Sequence, residues 1–341
     1  MTAQSPASMP ASMIEVLSGY MASARTRPLP PAVQETTKHH VLDTLAAMVS
    51  GQPLLPGRKA IAYARSRGGA AEATVLGTKL LVSAETAALA NGMLAHSDET
   101  DDSHAPSQTH PGCGIVAAAL AMAEARGANG NAFLRAVALG YDVGTRFTMC
   151  LDALGFREEG HSTHSFGPTF GVAAAAGSLA RLDAQRMRHV LTYAGQQASG
   201  VGSWIGDLDH VEKAFDFGGM PARNGVTAAL FVLNGFTATD DMFSGPRNFF
   251  QAYSHPGRQT DASELTRGLG SAYEVMNTNI KRWSVGSPIQ APLDSLLELV
   301  REHGIRGGDV ERVVVRVSHT GATTTDNRAM PDICMQQMCA V

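Results

Sequence analysis

Between residues 80 and 234 the chain returns six times to one composition, apolar stretches rich in Ala and Gly at 80–95, 113–126, 131–148, 171–180, 184–200 and 221–234. Apolar residues at helical spacing predict helices, and small side chains let neighbouring backbones approach closely. The pattern therefore points to a many-helix core rather than a sheet. The stretch LLVSAETAALANGMLA (80–95) has Ser83 and Glu85 among its few polar groups, so this helix is expected to be buried all round. A further helix opens at Pro30 and Pro31, carries Val33, Val41, Leu42, Leu45 and Val49, and closes at Gly51 and Pro53. β-branched content marks two strand candidates, EATVLGT (72–78) and VERVVVRV (310–317).

The Ala-rich pattern stops around residues 255–280, where polar turns take over. A helix at about 290–303, Gly307 and Gly308, and then the second strand candidate follow. The expected architecture is mainly α: an all-helical domain over 1–265, and the start of a smaller α+β lid over 270–341 with Val313–Val317 in a strand. Residues 1–10, rich in Ser, Pro and Ala, read as a frayed end. The last residues, MQQMCAV, are apolar and carry no stop signal, so the lid is expected to continue past Val341.

Composition removes several classes. In 341 residues, 27 Lys+Arg against 31 Asp+Glu leave a net charge of -4, with none of the clustered basic excess of a nucleic-acid-binding protein. Hydrophobic residues at 44% and charged residues at 17% argue against disorder. No run reaches ~18 consecutive apolar residues, so no transmembrane helix is expected. The opening MTAQSPASMPASMIEVLSGY lacks the basic and then apolar regions of a signal peptide. Cys113, Cys150, Cys334 and Cys339 form no Cys-x-x-Cys pair and no disulfide framework, which makes a reducing cytoplasm the expected compartment. The Gly-rich stretches fit neither a P-loop nor a dinucleotide fingerprint, and there is no Gly-x-Ser-x-Gly elbow.

The densest ionisable run is His96-Ser-Asp-Glu-Thr-Asp-Asp-Ser-His-Ala-Pro-Ser-Gln-Thr-His110-Pro111-Gly112. Taken alone it reads as a solvated acidic loop with a helix cap. It follows one apolar helix and enters another, however, so both of its ends are anchored inside. Its spacing matches no strong metal pattern and no metal is assigned, although a metal-dependent hydrolase is the reading that elemental analysis would test. Buried histidines or paired carboxylates supply proton-transfer groups near neutral pH. A second run, Gly160-His161-Ser-Thr-His164-Ser-Phe-Gly167, again places histidines ahead of a small-residue helix. Lysine is scarce, with five against 22 arginines. Lys213 lies just ahead of an apolar helix and Lys281 at the suggested junction, where a solvated cation is the simple reading and an anion-binding point charge the functional one.

These residues resemble the MmgE/PrpD family, whose members include 2-methylcitrate dehydratase, cis-aconitate decarboxylase and iminodisuccinate epimerase. The resemblance runs in order through HHVLDTLAAMVSG, NGMLAHSDETDDSHAPSQTHPG, GHSTHSFGPTFGVAAAAG, EKAFDFGGMPARNGVTAALF, GFTATDDMFSG and IKRW. It implies a helical domain with an α+β lid, usually a homodimer, no metal or organic cofactor, and a site between the domains. Matched position by position, Glu99 takes the family's acidic place, Asp101 and Asp102 its Asp-Asp pair, Ser103 its hydroxyl and His110 the following histidine. His161 takes the second histidine, with His164 the other choice, and Lys213 and Lys281 the two lysines. Asp216 stands where many members carry His, and the segment after Lys281 also departs from the dehydratase form.

The resemblance implies a hydro-lyase acting on a small di- or tricarboxylate by proton abstraction next to a carboxylate. Glu99, Asp101, Ser103, His110 and His161 would serve catalysis, and Lys213, Lys281 and His164 substrate binding. An epimerase or decarboxylase using the same residues, or a non-catalytic truncated relative, is the alternative.

Overall fold

The computed structural model describes residues 11–341; the frayed end read for residues 1–10 lies outside the described residues. Eleven α-helices build the larger part: α1 (Met13–Ala24), α2 (Pro31–Gly51), α3 (Leu55–Arg67), α4 (Ala84–Ala95), α5 (Pro111–Ala125), α6 (Gly130–Met149), α7 (Ala153–Glu158), α8 (Thr163–Leu179), α9 (Ala184–Gln197), α10 (Val211–Ala214) and α11 (Met220–Leu233). Shorter helices follow: α12 (Phe249–Tyr253), α13 (Gln290–His303), α14 (His319–Thr325) and α15 (Met335–Ala340). The one sheet among the described residues pairs β1 (Ala73–Thr74) with β2 (Leu81–Val82) in antiparallel register. The fold is mainly α, as the Ala/Gly pattern requires.

Small residues set the packing. Gly140 and Gly144 of α6 face Gly167 and Gly171 of α8, and a Cβ built on Gly167 would lie 2.5 Å from the Gly144 carbonyl oxygen. The two helices touch backbone to backbone, which only glycine permits. Helix α4 is buried along Ala87–Ala95, as expected, and Gly92 approaches Gly218 so closely that a Cβ would come 2.6 Å from the Gly218 carbonyl carbon. One hydrophobic cluster runs from Ile14 to Val275; a second, smaller one gathers Val285, Ile289 and Met335.

Three expectations need correction. Helix α2 has the expected bounds but not the expected face: Leu42 and Val49 are exposed, while Val33, Thr37, His40, Thr44 and Met48 are buried. The inward face is partly polar because His40 binds a buried carboxylate in the loop after α4. Helix α8 starts at Thr163 rather than 171, so the second histidine run straddles the helix start, His161 before the N-cap Ser162 and His164 in the first turn, with Pro168 inside the helix. Gly167 and Pro168 have weak helix propensity, which the close approach to α6 offsets. Residues 310–317 form no strand: no strand among the described residues pairs with them, and Val313 and Val314 are exposed, because a β-branched run alone cannot satisfy its backbone without a neighbouring strand.

Candidate active site

The loop from His96 to His110 is pinned at its centre. Asp102, fully buried, accepts hydrogen bonds from His40 Nδ1 (2.7 Å, α2), Tyr141 Oη (2.6 Å, α6) and the backbone N–H of Gly112 (3.0 Å), which opens α5. One carboxylate thus ties the loop to three helices and occupies an N–H that helix α5 leaves free. The backbone of Ser103 exchanges two hydrogen bonds with Asn279, at 2.9 and 2.8 Å, fastening the segment that leads into Lys281. These contacts turn an acidic stretch into a buried wall rather than a solvated loop.

Lys213 comes from α10, which runs into α11 through a wide π-helical turn at Phe215–Gly219. Pro221 cannot donate to the Phe217 carbonyl, and that oxygen instead accepts the Cys113 thiol (3.4 Å). The turn presents Lys213 and Phe217 towards α4, α5 and α8. His164 stacks on Phe217 with ring centroids 3.7 Å apart, and His96 stacks on it as well, at 4.2 Å. His110 lies 5.3 Å from His164 and 5.4 Å from His96, centroid to centroid.

A cavity of about 540 Å³ opens over this cluster. Glu99, Ser103, His110, His164 and Lys213 line it, with Arg157 and Trp204 on one side and Ser318–Arg328 across the top. Of the eight residues singled out from sequence, these five face the space. Asp101 and Lys281 lie beneath it, the Lys281 ammonium donating to the Glu99 carbonyl oxygen (2.8 Å) and standing 4.0 Å from Asp101. His161 does not join them. It sits outside the first turn of α8, stacks on Phe156 at 4.1 Å and lines an adjoining cleft of about 280 Å³ that shares Arg157, His164 and Trp204 with the cavity. The cavity holds His164 instead, because the helix starts at Thr163 and its first turn carries that ring inward.

The electrostatics are those of a dry, charge-balanced floor. Burial penalises the Glu99 carboxylate, but the Lys213 and Lys281 ammonium groups hold it well below the usual glutamate range. Asp101 is buried too, and His96 and His110 keep it ionised. Burial pushes the His164 imidazole far down, reinforced by His110 and Arg157, so this ring is neutral. His210, whose Nε2 lies 3.9 Å from Glu99, is driven by burial and then Lys213 to about 3. Asp216, buried within the π turn and hydrogen-bonded by Ser162, is raised by burial to about 7.

Two trios, His96/Asp101/Cys113 and His96/Glu99/His210, bring ligand-type atoms within 4.8 Å of one another. Their carboxylates are already matched, Asp101 by His96 and Glu99 by two lysines, and a dication there would sit beside two ammonium groups; no metal is assigned. Sequence reasoning did not select His96, His210, Arg157, Trp204 or Phe217. His96 was visible in the ionisable run, and Trp204 as one of only two tryptophans. His210 carried no helical signal, and its backbone adopts the left-handed φ of +59° that non-glycine residues seldom take.

The MmgE/PrpD N-terminal domain matches residues 15–261. No curated protein matches the chain. No helix among the described residues is long and apolar enough to cross a membrane.

Proposed function

The chain belongs to the MmgE/PrpD family, which supports a dehydratase- or lyase-type activity in general, and from that premise we propose a cofactor-independent hydro-lyase acting on a small di- or tricarboxylate. One observation carries the proposal: His110, with the ionised Asp101 3.6 Å behind it, faces the same cavity as the Lys213 ammonium. A hydrogen on carbon next to a carboxylate is weakly acidic, so its removal needs a base at the carbon and a cation where charge builds up. His110 takes that proton through the ring edge facing the cavity. The imidazolium so formed is balanced by Asp101, and Lys213 holds the substrate carboxylate as it gains enolate character. When the hydroxyl on the neighbouring carbon departs, the proton carried by His110 goes to it. Water leaves, the double bond forms and His110 returns to its starting state.

His164, neutral and stacked on Phe217, orients substrate by hydrogen bonding, and Ser103 adds a hydroxyl. Lys281 acts from below, fixing Glu99, and through it Lys213. Return of the abstracted proton to carbon instead of loss of hydroxide gives the epimerase reading; the decarboxylase reading runs the proton the other way, with CO₂ leaving and a protonated His110 delivering its proton to the carbon that keeps the electron pair. The division into a helical body and a lid after residue 270 belongs to the same proposal, supported by the two hydrophobic clusters, as does a homodimeric state.

The test is a screen of di- and tricarboxylates with product identification by NMR. His110→Ala is expected to lower turnover by about 10²–10⁴-fold, and Lys213→Ala mainly to raise KM. Turnover unaffected by His110→Ala, or directed only at uncharged substrates, would overturn the reading.

A further inference from the structure

Asp101 is claimed from two sides. His96 Nδ1 stands 2.9 and 3.0 Å from its two oxygens, whereas His110 Nδ1 stands 3.6 Å from Oδ1, beyond hydrogen-bond range, and is buried without another partner among the described residues. His96 is held for this one task. Its ring is fully buried against Phe217; among the described residues its Nε2 has no partner and Asp101 is its only side-chain hydrogen-bond partner. Burial, the largest influence on this ring, disfavours its charged form despite Asp101, so it donates a proton to the carboxylate as a neutral imidazole.

The other ionisable groups around the pair come from every element packed against it. Lys281 stands 4.0 Å from Asp101, and Lys213 and Lys281 share Glu99. His164 faces His110, and His210 faces His96 at 5.2 Å. The Cys113 thiol shares its one hydrogen between the His110 (3.1 Å) and Phe217 (3.4 Å) carbonyl oxygens, and the neighbouring carboxylates are Asp102 of the same loop and Asp43 of α2.

We propose that His96 is a positioning residue: by holding Asp101 as a neutral donor, it keeps the carboxylate from pairing permanently with His110, so that His110 enters each cycle able to accept a proton. Without His96, the desolvated carboxylate would turn to His110, the nearer ring at 3.6 Å against 4.0 Å for the Lys281 ammonium, and hold it as imidazolium. With His96 in place, Asp101 turns to His110 only after that ring has become charged, closing the gap from 3.6 Å. No proton leaves the pair; His96 keeps its Nδ1 hydrogen throughout. The inference rests on the reading of His110 as the base.

The experiment follows the histidine rings of the full chain by ¹⁵N NMR across pH, alongside the pH profile of kcat/KM. His96→Phe keeps a ring on Phe217 and removes the donor; the midpoint at which His110 titrates is expected to move up by about one unit or more, and the acid limb of kcat/KM with it. His96→Asn returns an N–H near the position of Nδ1 and is expected to restore the midpoint to within about 0.3 unit. Asp101→Asn removes the anion and is expected to move the midpoint down, and it serves as the arbiter should His96→Phe not fold. A midpoint that is unchanged or lowered in folded His96→Phe, or unchanged in Asp101→Asn, overturns the proposal. The predicted NMR shifts without turnover of any carboxylic acid would instead leave the coupling standing and remove the lyase reading.

Discussion

Replacing Tyr141 by Phe tests whether the buried Asp102 carboxylate organises the fold around the site. The substitution removes one hydroxyl, fully buried on α6, that donates to Asp102 at 2.6 Å, and leaves the ring in place. A hydrogen bond to a charged acceptor contributes about 1.5–3 kcal/mol, and an orphaned buried acceptor costs more than one that keeps partners. Asp102 retains His40 and the Gly112 N–H, so the expected loss lies in the lower half of that range, about 2 kcal/mol. Equilibrium urea unfolding reads it as a lower midpoint with an unchanged slope. His40→Ala combined with Tyr141→Phe should cost more than the sum of the two single changes, because the second removal strips a carboxylate already short of donors. A Tyr141→Phe loss below about 0.5 kcal/mol, within the range of ordinary surface substitutions, would refute the view that Asp102 is an anion held by three donors.

Other outcomes follow from the same structure. Gly171→Ala forces a side chain into the α6 seam and should destabilise the protein by about 1–3 kcal/mol, read as a lower Tm. Asp216, raised from 3.8 to about 7, favours the folded state when protonated: its contribution is present below pH 3.8 and is lost as pH rises through 7. Asp216→Asn should therefore gain stability relative to the parent at pH 8 but not at pH 4, as thermal melts at the two pH values would show. His164→Ala should reduce kcat/KM far more than His161→Ala, since only the first ring faces the large cavity; equal losses would show that the two clefts act together. EDTA-treated protein should retain its turnover, and activity that returned only on adding zinc or iron would remove the cofactor-free mechanism.

Much of the helical body is legible in the sequence because its signal is local. Small apolar residues at helical spacing mark α4, α5, α6, α9 and α11 to within a few residues, and tertiary packing reinforces each assignment. The site is legible wherever chemistry and rarity coincide: lysine is so sparse that Lys213 and Lys281 stand out, and both reach Glu99. What sequence hides is which way a side chain faces. His161 and His164 differ by three positions, and only the start of α8 at Thr163, set by contact with α6, decides which ring meets the cavity. The buried face of α2 was concealed in the same way. Its stripe of Thr37, His40 and Thr44 is polar, and that choice makes sense only once Asp102 is seen opposite. Residues 310–317 mislead for the reverse reason, since strand propensity is a property of a pair and no strand among the described residues lies beside them.

The π turn between α10 and α11 works as a one-residue spacer. A regular helix turns about 100° per residue, so a single extra residue shifts the angular phase of everything before it relative to everything after it. Downstream, α11 keeps its small residues against α4 and α8; upstream, Lys213 and the Phe217 platform are swung onto a different bearing. Two demands that compete for one helical stripe, close packing and presentation of a cation, are thereby uncoupled. Deleting a residue from Phe215–Gly219 would bring the two halves back into phase and turn the ammonium away by roughly a quarter of a revolution, with every core contact of α11 preserved. Substitutions that retune the charged end of this helix can then be made without renegotiating its buried end.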